Sequence, residues 1–230
     1  MESIETRLTH IKNEICIAAK ACGRDPETID LVAVSKRKSS DAVISAIQAG
    51  VTLLGENYIQ EAMDKIDTIG NTPASWHFIG HLQSNKARFA VQYFDLIHTV
   101  DSLKLAREIN KQAAKINKRQ AILMQVNIAD EASKSGTTAA KALTLARDIA
   151  SLEHVHLTGL MGMPPFFDDP EGARPYFKAM ATLFTTIQAE KISGIDLKHL
   201  SMGMSGDFKV AIEEGSTLVR IGTAIFGSRA

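Results

Sequence analysis

Residues 121–126 read AILMQV and residues 31–34 read LVAV. Polar residues do not alternate with apolar ones in either run, so neither run presents a separate face to solvent. This pattern is typical of parallel strands that are buried on both faces of a sheet. We therefore expect both stretches to be strands of a covered parallel sheet.

Eight β-rich runs occur along the chain, and helical stretches separate them. The runs cover residues 31–35, 52–56, 76–80, 96–100, 121–127, 155–162, 197–203 and 218–227. Between runs, apolar residues recur at helical spacing, as Leu105, Ile109 and Ala113 do. Eight repeated βα units close most economically into a (β/α)8 barrel of the TIM type, in the α/β class. An open, doubly wound sheet of eight strands is the alternative.

An additional helix precedes the first unit. Apolar residues such as Leu8 and Ile11 recur at spacings of three and four over residues 2–22, and Gly23 then ends the helix. No stretch has the composition of a linker between domains, and the eight units extend to the last residue. We expect a single barrel domain over residues 1–230.

Composition limits the class of protein. Of the 230 residues, 45% are hydrophobic and 23% are charged, which excludes a disordered or collagen-like chain. Lysine plus arginine and aspartate plus glutamate each number 26, so the formal net charge is zero. Such a chain has no global field to hold nucleic acid or anionic lipid, and we expect neither as a partner.

The N-terminus lacks the features of a signal peptide, because Glu2 and Glu5 stand where positive charge is required. No apolar run reaches the roughly 18 residues that span a bilayer. Cys16 and Cys22 lie six residues apart on one expected helix, where they form neither a disulfide framework nor a metal site. These features predict a cytoplasmic protein with reduced cysteines.

Lys36 follows the first run, at the end of the barrel where active sites are built. A lysine there is partly desolvated, which favours the neutral amine and makes it available for a Schiff base with a carbonyl compound. Position alone also allows a solvated lysine, because Lys36, Arg37 and Lys38 form a short basic run.

Two clusters of small residues lie at the seventh and eighth strands, the first just after the seventh strand and the second around the end of the polar part of the eighth. Gly203, Ser205 and Gly206 form the first cluster, and Gly222 with Thr223 forms the second. Small side chains let backbone N–H groups approach an anion, and the loops after strands 7 and 8 are the recurrent phosphate site of barrels. A phosphate that faces an amine across the barrel mouth matches pyridoxal 5′-phosphate, so we expect this cofactor.

Long strings of the sequence resemble the pyridoxal phosphate homeostasis protein family. They are VAVSK (32–36), GENYIQE (55–61), WHFIGHLQSNK (76–86), HTVDS (98–102), QVNIADEASKSG (125–136) and SMGMSGDFKVAIEEGSTLVRIGTAIFG (201–227). The resemblance extends over nearly the whole chain, and its strings are chemically unusual. It implies a single barrel similar to the N-terminal domain of bacterial alanine racemase.

The resemblance also implies roles for individual residues, with Lys36 carrying the cofactor as a Schiff base. The other implied cofactor-binding residues are Asn57 and His81 beside the ring, Arg220 at the pyridine nitrogen, Ser205, Gly222 and Thr223 at the phosphate, and Met204 and Gly206, which complete the set. A guanidinium stays protonated, so Arg220 would keep the ring nitrogen unprotonated and weaken the cofactor as an electron sink.

Other polar residues are weaker candidates, and we expect no metal site. His77 and His81 flank the third expected strand, where four residues span about 13 Å, so they cannot share a metal as a helical pair could. Glu131 and Lys134 follow the fifth strand, where a solvated loop is the simplest interpretation. The proline-rich residues 163–175 predict either a lid or an ordered connecting loop at the barrel mouth.

The resemblance implies a carrier or regulator of the cofactor pool and of amino and keto acid balance, without strong catalytic activity. Racemisation needs a base on each face of the substrate. In two-domain racemases a second domain supplies one of them, and the eight units leave no residues for such a domain. Apo-enzymes that use the cofactor are candidate partners, and we expect a monomer because no exposed apolar stripe is evident.

Two alternatives remain open. The first is a racemase-like enzyme of narrow specificity that depends on pyridoxal phosphate, with Tyr58 or His81 as a second acid–base group. The second is a cofactor-free aldolase in which the Lys36 amine attacks a carbonyl substrate directly.

Overall fold

The computed structural model describes residues 2–131 and 135–227. Its eight parallel strands are β1 (Asp30–Val34), β2 (Leu53–Glu56), β3 (Ser75–Phe78), β4 (Leu96–Val100), β5 (Gln120–Val126), β6 (Val155–Gly162), β7 (His199–Met204) and β8 (Leu218–Ile221). The strands form a closed barrel in chain order. β1 pairs with β2 on one side, where Val32 lies opposite Leu53, and with β8 on the other, where Leu31 lies opposite Val219.

Helices surround the barrel and connect successive strands. They are α1 (Ile4–Ala21), α2 (Ser40–Gln48), α3 (Ile59–Ile69), α4 (Ala87–Tyr93), α5 (Leu103–Lys115), α6 (Ala139–Ala150), α7 (Arg174–Ala189), α8 (Phe208–Glu213) and α9 (Thr223–Phe226). α1 precedes β1 and packs against α8, α9 and α2. These elements confirm the predicted TIM-type barrel with an additional N-terminal helix.

Serine side chains cap the start of three helices. The hydroxyl oxygens of Ser3, Ser39 and Ser102 accept hydrogen bonds of 3.1–3.3 Å from backbone N–H groups at the start of α1, α2 and α5. A serine at this position satisfies a donor that the helix itself cannot pair. Each cap marks the residue at which its helix starts. α1 starts before β1, and α2 and α5 start after the loops that follow β1 and β4.

Apolar side chains fill two separate cores. The larger core lies between the strands and the surrounding helices, and the smaller one fills the inside of the barrel. The buried residues of the inner core are Val32, Leu96, Leu123, Met161 and Leu218. Because side chains alternate along a strand, the next inward-facing positions lie two residues further on and nearer the carboxyl end.

Polar residues occupy several of those next inward-facing positions. His98 follows Leu96, Gln125 follows Leu123 and Arg220 follows Leu218, each by two residues, and all three polar side chains are buried. The inside of the barrel is therefore apolar towards the amino ends of the strands and polar towards their carboxyl ends. This division places the polar chemistry at the mouth where barrel enzymes build their sites.

The eighth run is shorter as a strand than the sequence predicts. The expected strand covered residues 218–227, but β8 ends at Ile221 and Thr223–Phe226 forms α9. The Gly222 backbone adopts helical-region angles, with φ −115° and ψ −73°, and Ile225 and Phe226 are buried. A short apolar run alone does not distinguish a buried helical turn from a strand, which explains the error.

The proline-rich stretch after β6 is partly helical. Pro170–Ala173 forms a 3-10 turn, and Arg174 and Pro175 belong to the first turn of α7. Proline suits both places because its missing N–H is not required there. The part of the stretch without regular structure is therefore shorter than the predicted loop. Lys134, named as a weak candidate above, lies outside the described residues.

Two kinds of feature are absent from the described part of the chain. Within residues 2–131 and 135–227, no cluster of three or more histidine, cysteine, aspartate or glutamate side chains is arranged to hold a metal ion. None of the helices in those residues combines the length and apolar character needed to cross a membrane. Cys16 and Cys22 are free thiols, and Cys22 caps α1 rather than lying within it.

Candidate functional site

A cleft of about 680 Å³ opens at the carboxyl ends of the strands. Its volume lies within the range of small-molecule binding sites. The structure brings all nine sequence-predicted site residues to this cleft: Lys36, Asn57, His81, Met204, Ser205, Gly206, Arg220, Gly222 and Thr223. The residues come from five different strand ends, so only the closed barrel brings them together.

Lys36 lies in the turn that follows β1, two residues beyond Val34. Its side chain is half-buried and lines the cleft. Lys38 lines the same cleft and donates a hydrogen bond of 3.2 Å from its Nζ to the Gly227 carbonyl oxygen. Among the described residues the cleft therefore contains two lysine amines, of which Lys36 is nearer to the end of β1.

Two loops place open backbone amides at one end of the cleft. The N–H groups of Ser205, Gly206 and Thr223 donate to no acceptor among the described residues. Asp207 closes the first loop by accepting a hydrogen bond of 2.6 Å from the Met204 N–H. A Cβ on Gly206 would meet nothing within 4 Å, so this loop leaves space beside its amides. Uncommitted amides in such a concave loop suit an anion such as phosphate.

Arg220 lies at the base of the cleft and is 4% exposed. Its Nη1 donates to Ser201 Oγ at 2.6 Å and its Nη2 donates to the Gly162 carbonyl oxygen at 3.1 Å. Burial lowers the pKa of the guanidinium to about 10. The side chain is therefore still a cation at neutral pH, and two neutral acceptors fix its orientation.

Two histidines continue this hydrogen-bonded chain into the barrel. Ser201 Oγ lies 3.0 Å from His98 Nδ1, and His98 Nε2 lies 3.1 Å from His77 Nδ1. Burial lowers the pKa of His77 to about 4 and that of His98 well below its ordinary value. Because Arg220 donates to Ser201, the hydroxyl proton is free for His98 Nδ1, and we assign the His98 proton to Nε2.

The placement of His77 corrects the sequence analysis. His77 does not flank a strand but lies within β3 (Ser75–Phe78), and its side chain is buried. Only His81 lies beyond the strand. A pleated strand directs alternate side chains to opposite faces, and the sequence alone does not show which face of a doubly buried strand is inside the barrel.

Asn57 and His81 line the cleft from the ends of β2 and β3. Asn57 Oδ1 is buried and has no hydrogen-bond partner among the described residues. Gly80 packs directly against the Asn57 backbone, since a Cβ there would lie 2.6 Å from the Asn57 carbonyl carbon. His81 is exposed, and its Nδ1 lies 3.3 Å from Ser135 Oγ. An unpaired buried acceptor costs free energy unless a ligand or water pairs with it.

These features fit pyridoxal 5′-phosphate. The open amides of Ser205, Gly206 and Thr223 suit the phosphate, Lys36 offers a primary amine, and the unpaired Asn57 oxygen is available to a polar ring substituent. Tyr58, considered as an acid–base group, is not among the described residues that line the cleft. His81, its alternative, does line the cleft.

Several buried polar residues near the site were not singled out from the sequence. They are Glu56, Lys65, His98 and Ser201. Lys65 could have been noticed, because it follows Ala62 by three residues and these two are the buried residues of α3. A lysine on the buried face of a helix requires a partner. His98 and Ser201 had no comparable signal, because their strands are buried on both faces.

Comparison with known proteins identifies the family. The family model described as alanine racemase, N-terminal domain, matches residues 7–230. The chain is 45% identical over 233 residues to the pyridoxal phosphate homeostasis protein of Vibrio alginolyticus, covering 100% of this chain and 99% of that protein. It is 44% identical to the protein of the same name from Escherichia coli strain K12, with 100% and 98% covered.

Solved structures agree with these matches. PipY of Synechococcus elongatus, in its structure with PLP bound, superimposes with a TM-score of 0.86 at 31% identity, covering 98% of this chain and 100% of that chain. Alanine racemase of Corynebacterium glutamicum shares the fold, with a TM-score of 0.72 at 15% identity, and the match covers 96% of this chain but 62% of the racemase. The resemblance read from the sequence is thereby confirmed, and the chain belongs to the pyridoxal phosphate homeostasis protein family.

Proposed function

We propose that the protein binds pyridoxal 5′-phosphate reversibly through Lys36 and acts as a carrier or regulator of the intracellular cofactor pool and of amino and keto acid balance. One observation carries the proposal: the Lys36 amine, the buried Arg220 and the open amides of two loops line a single cleft. The name of the curated relatives and the PLP-bound structure of PipY support the same cofactor.

The chemistry at Lys36 suits a carrier. The cofactor supplies, when bound, an aldehyde that condenses with an amine to a Schiff base. Lys36 Nζ adds to the aldehyde carbon, the C=N bond forms and water leaves. Hydrolysis reverses the step and returns the free amine and the aldehyde. Uptake and release therefore need no reactant besides water.

Arg220 favours holding the cofactor over catalysis. Its guanidinium keeps its charge at neutral pH, because the pKa is about 10 even after burial. If this cation faces the pyridine nitrogen, that nitrogen remains unprotonated, and an unprotonated ring is a poor electron sink. Ser201 and Gly162 hold the guanidinium in place. We therefore expect weak catalysis at the α-carbon of amino acids.

Enzymes that require pyridoxal phosphate are the proposed recipients. Met163 and Phe166 from the loop after β6 and Met204 at the end of β7 are exposed and line the cleft, with Phe166 89% exposed. These side chains give the mouth an apolar part that a recipient protein would contact. We place this exchange in the cytoplasm, where the protein's thiols stay reduced.

The experiment that tests the carrier proposal measures catalytic turnover of amino acids separately from release of the cofactor. Protein loaded with the cofactor is incubated with single amino acid enantiomers, and racemisation and decarboxylation are followed by chiral chromatography. In parallel, the loaded protein is mixed with an apo-aminotransferase, and recovery of aminotransferase activity reports delivery of the cofactor. We expect delivery and turnover far below the ordinary enzyme range of about 1 to 10³ per second. Turnover within that range would overturn the carrier proposal in favour of the racemase-like enzyme.

A further inference from the structure

A buried ion cluster lies beneath the turn that carries Lys36. Glu56, at the end of β2, is fully buried, and Lys65 of α3 is nearly so. Lys65 Nζ lies 2.7 Å from Glu56 Oε1 and 2.6 Å from Glu61 Oε1. We call these three side chains the Lys65 cluster. None of its residues is among the nine predicted cofactor-binding residues that line the cleft.

The Lys65 cluster binds the Lys36 turn on both sides of the lysine. Before Lys36, Ser35 Oγ donates to Glu56 Oε1 at 2.7 Å and the Ser35 carbonyl oxygen accepts from Lys65 Nζ at 2.7 Å. After Lys36, the Arg37 N–H donates to Glu61 Oε1. The residues that flank the amine are therefore both held by side chains from β2 and α3.

The backbone at Arg37 independently indicates that this turn is constrained. Arg37 has φ +59°, in the left-handed region that residues other than glycine rarely adopt. A non-glycine residue in that region is strained and persists only where its surroundings enforce the conformation. Glu61 supplies one such contact, and the Arg37 guanidinium lies 5.9 Å from the centre of the Tyr58 ring as another.

The same cluster connects this turn to the loop that carries Asn57. Glu56 and Tyr58 are the chain neighbours of Asn57, and both contact residues of the Lys36 turn. The amine and the unpaired Asn57 oxygen thus belong to two loops that are joined by the buried Ser35–Glu56 hydrogen bond and by the Arg37–Tyr58 contact at the surface. A displacement of one loop would move the other.

Stability alone does not explain such a cluster. Desolvation raises the pKa of Glu56, and its Oε2 is buried without a partner among the described residues. Buried ion pairs are often no more stabilising than apolar side chains of similar size. Burial of the Lys65 cluster costs desolvation free energy, yet the cluster contacts the turn that carries Lys36. Orientation of that turn therefore explains the cluster better than stability does.

We propose that Lys65, Glu56 and Glu61 are positioning residues that fix the Lys36 amine relative to Asn57 for attack on the cofactor aldehyde. The proposal rests on the proposed function, because it needs an aldehyde that reacts with Lys36. It predicts an effect on the rate of covalent capture and little effect on binding through the phosphate. A purely structural role would weaken both together.

The test compares Lys65→Met with the wild-type protein on two ligands. Pyridoxal 5′-phosphate reports covalent capture through stopped-flow absorbance. Pyridoxine 5′-phosphate, which has a hydroxymethyl group in place of the aldehyde, reports binding alone through calorimetry. Misplaced reacting groups lose on the order of tenfold to a hundredfold in rate, and we expect a loss of that size in capture. We expect the affinity for pyridoxine 5′-phosphate to change by no more than about threefold, or about 0.65 kcal/mol.

Two further variants keep the test decisive. Lys198→Met removes an exposed ion pair with Asp196, which precedes β7 and does not line the cleft, and this variant should capture the aldehyde at the wild-type rate. If Lys65→Met does not fold, the double variant Lys65→Met/Glu56→Gln removes both buried charges and takes its place. Capture at the wild-type rate, or equal losses with both ligands, would overturn the positioning role. Failure of the wild-type protein itself to capture pyridoxal 5′-phosphate would instead refute the proposed function.

Discussion

Arg220 and His77 show how burial determines charge inside this barrel. Arg220 keeps its proton at neutral pH because its unperturbed pKa is so high that burial lowers it only to about 10. His77 starts from an ordinary value near 6.5, and the same physical effect lowers its pKa to about 4. At neutral pH Arg220 is therefore a cation, and neutral hydrogen-bonding groups at Ser201, His98 and His77 support it.

The lowered pKa of His77 predicts a loss of stability in acid. The unfolded chain binds this proton near pH 6.5 and the folded chain only near pH 4, so folding is progressively opposed as the pH falls between these values. The His77 contribution is fully present above pH 6.5, and its loss by pH 4 is on the order of 3 kcal/mol. Urea unfolding of wild type and His77→Asn over this pH range measures it. Equal pH dependence in the two proteins would contradict the burial of a neutral His77.

Gly80 and Gly206 have different surroundings, so replacing each of them with alanine should affect stability differently. A Cβ on Gly80 would collide with the Asn57 backbone, so Gly80→Ala should lower the free energy of unfolding by about 1–3 kcal/mol or more. Gly206→Ala is the control for stability, because its Cβ would enter open space and its φ lies outside the left-handed region that strains alanine. We expect that control to unfold within about 0.5 kcal/mol of wild type. A Gly80→Ala protein as stable as the control would show that Asn57 is not held by this contact.

At the scale of elements, α1 shows which sequence patterns are most informative. Its apolar spacing predicted a helix over residues 2–22, and the structure places it at Ile4–Ala21 with Leu8 and Ile11 buried. The helix covers α8 and α9, which carry the loops of the two small-residue clusters. Its packing therefore supports the end of the cleft that we assign to phosphate.

Two positions on α1 test this packing. Leu8 is 1% exposed and Ile17 is 63% exposed. Leu8→Ala should lower the free energy of unfolding by about 2–5 kcal/mol, because it leaves a cavity between helices. Ile17→Ala should stay within about 0.5 kcal/mol of wild type. Chemical denaturation of both variants provides the measurement, and a similar loss in the two would mean that α1 does not pack through Leu8.

Element boundaries were harder to predict than element type. The eighth run, GTAIF included, was expected to be a strand to its end, yet Thr223–Phe226 is helical. The prediction failed there because a buried helical turn and a buried strand both consist of apolar residues, so the sequence pattern does not distinguish them. The residues at that boundary, Gly222 and Thr223, were expected at the end of the polar part of the strand, and the structure brings both of them to the cleft.

For the whole molecule, the closed barrel explains what the sequence could predict. Residues at the ends of eight strands must meet at one mouth, so the strand count alone placed Lys36 and Thr223 in the same cleft. No comparable rule predicts from the sequence which polar side chains pair inside the barrel. His98 meets Ser201 across 103 residues of sequence, and only the register of the strands and the inward direction of both side chains bring them together.

The same barrel predicts a monomer in solution. Large exposed apolar side chains in the described residues are scattered, as Ile17 and Ile116 are, or lie at the cleft mouth with Phe166. A stable dimer needs a larger contiguous apolar face. Sedimentation equilibrium should give the mass of one chain with and without pyridoxal 5′-phosphate. A dimer mass at micromolar concentration would refute this prediction.

The central claim, that Lys36 holds pyridoxal 5′-phosphate, is tested most directly by trapping the bond. The purified protein is mixed with the cofactor, its visible absorbance is recorded, borohydride is added, and the modified peptide is mapped by mass spectrometry. Because Lys38 lines the same cleft, the label must be assigned to a single residue. We predict a visible absorbance band that borohydride abolishes, a label on Lys36, and loss of that label in Lys36→Ala. A protein that stays colourless with added cofactor, or a label at another residue in wild type, would contradict the claim.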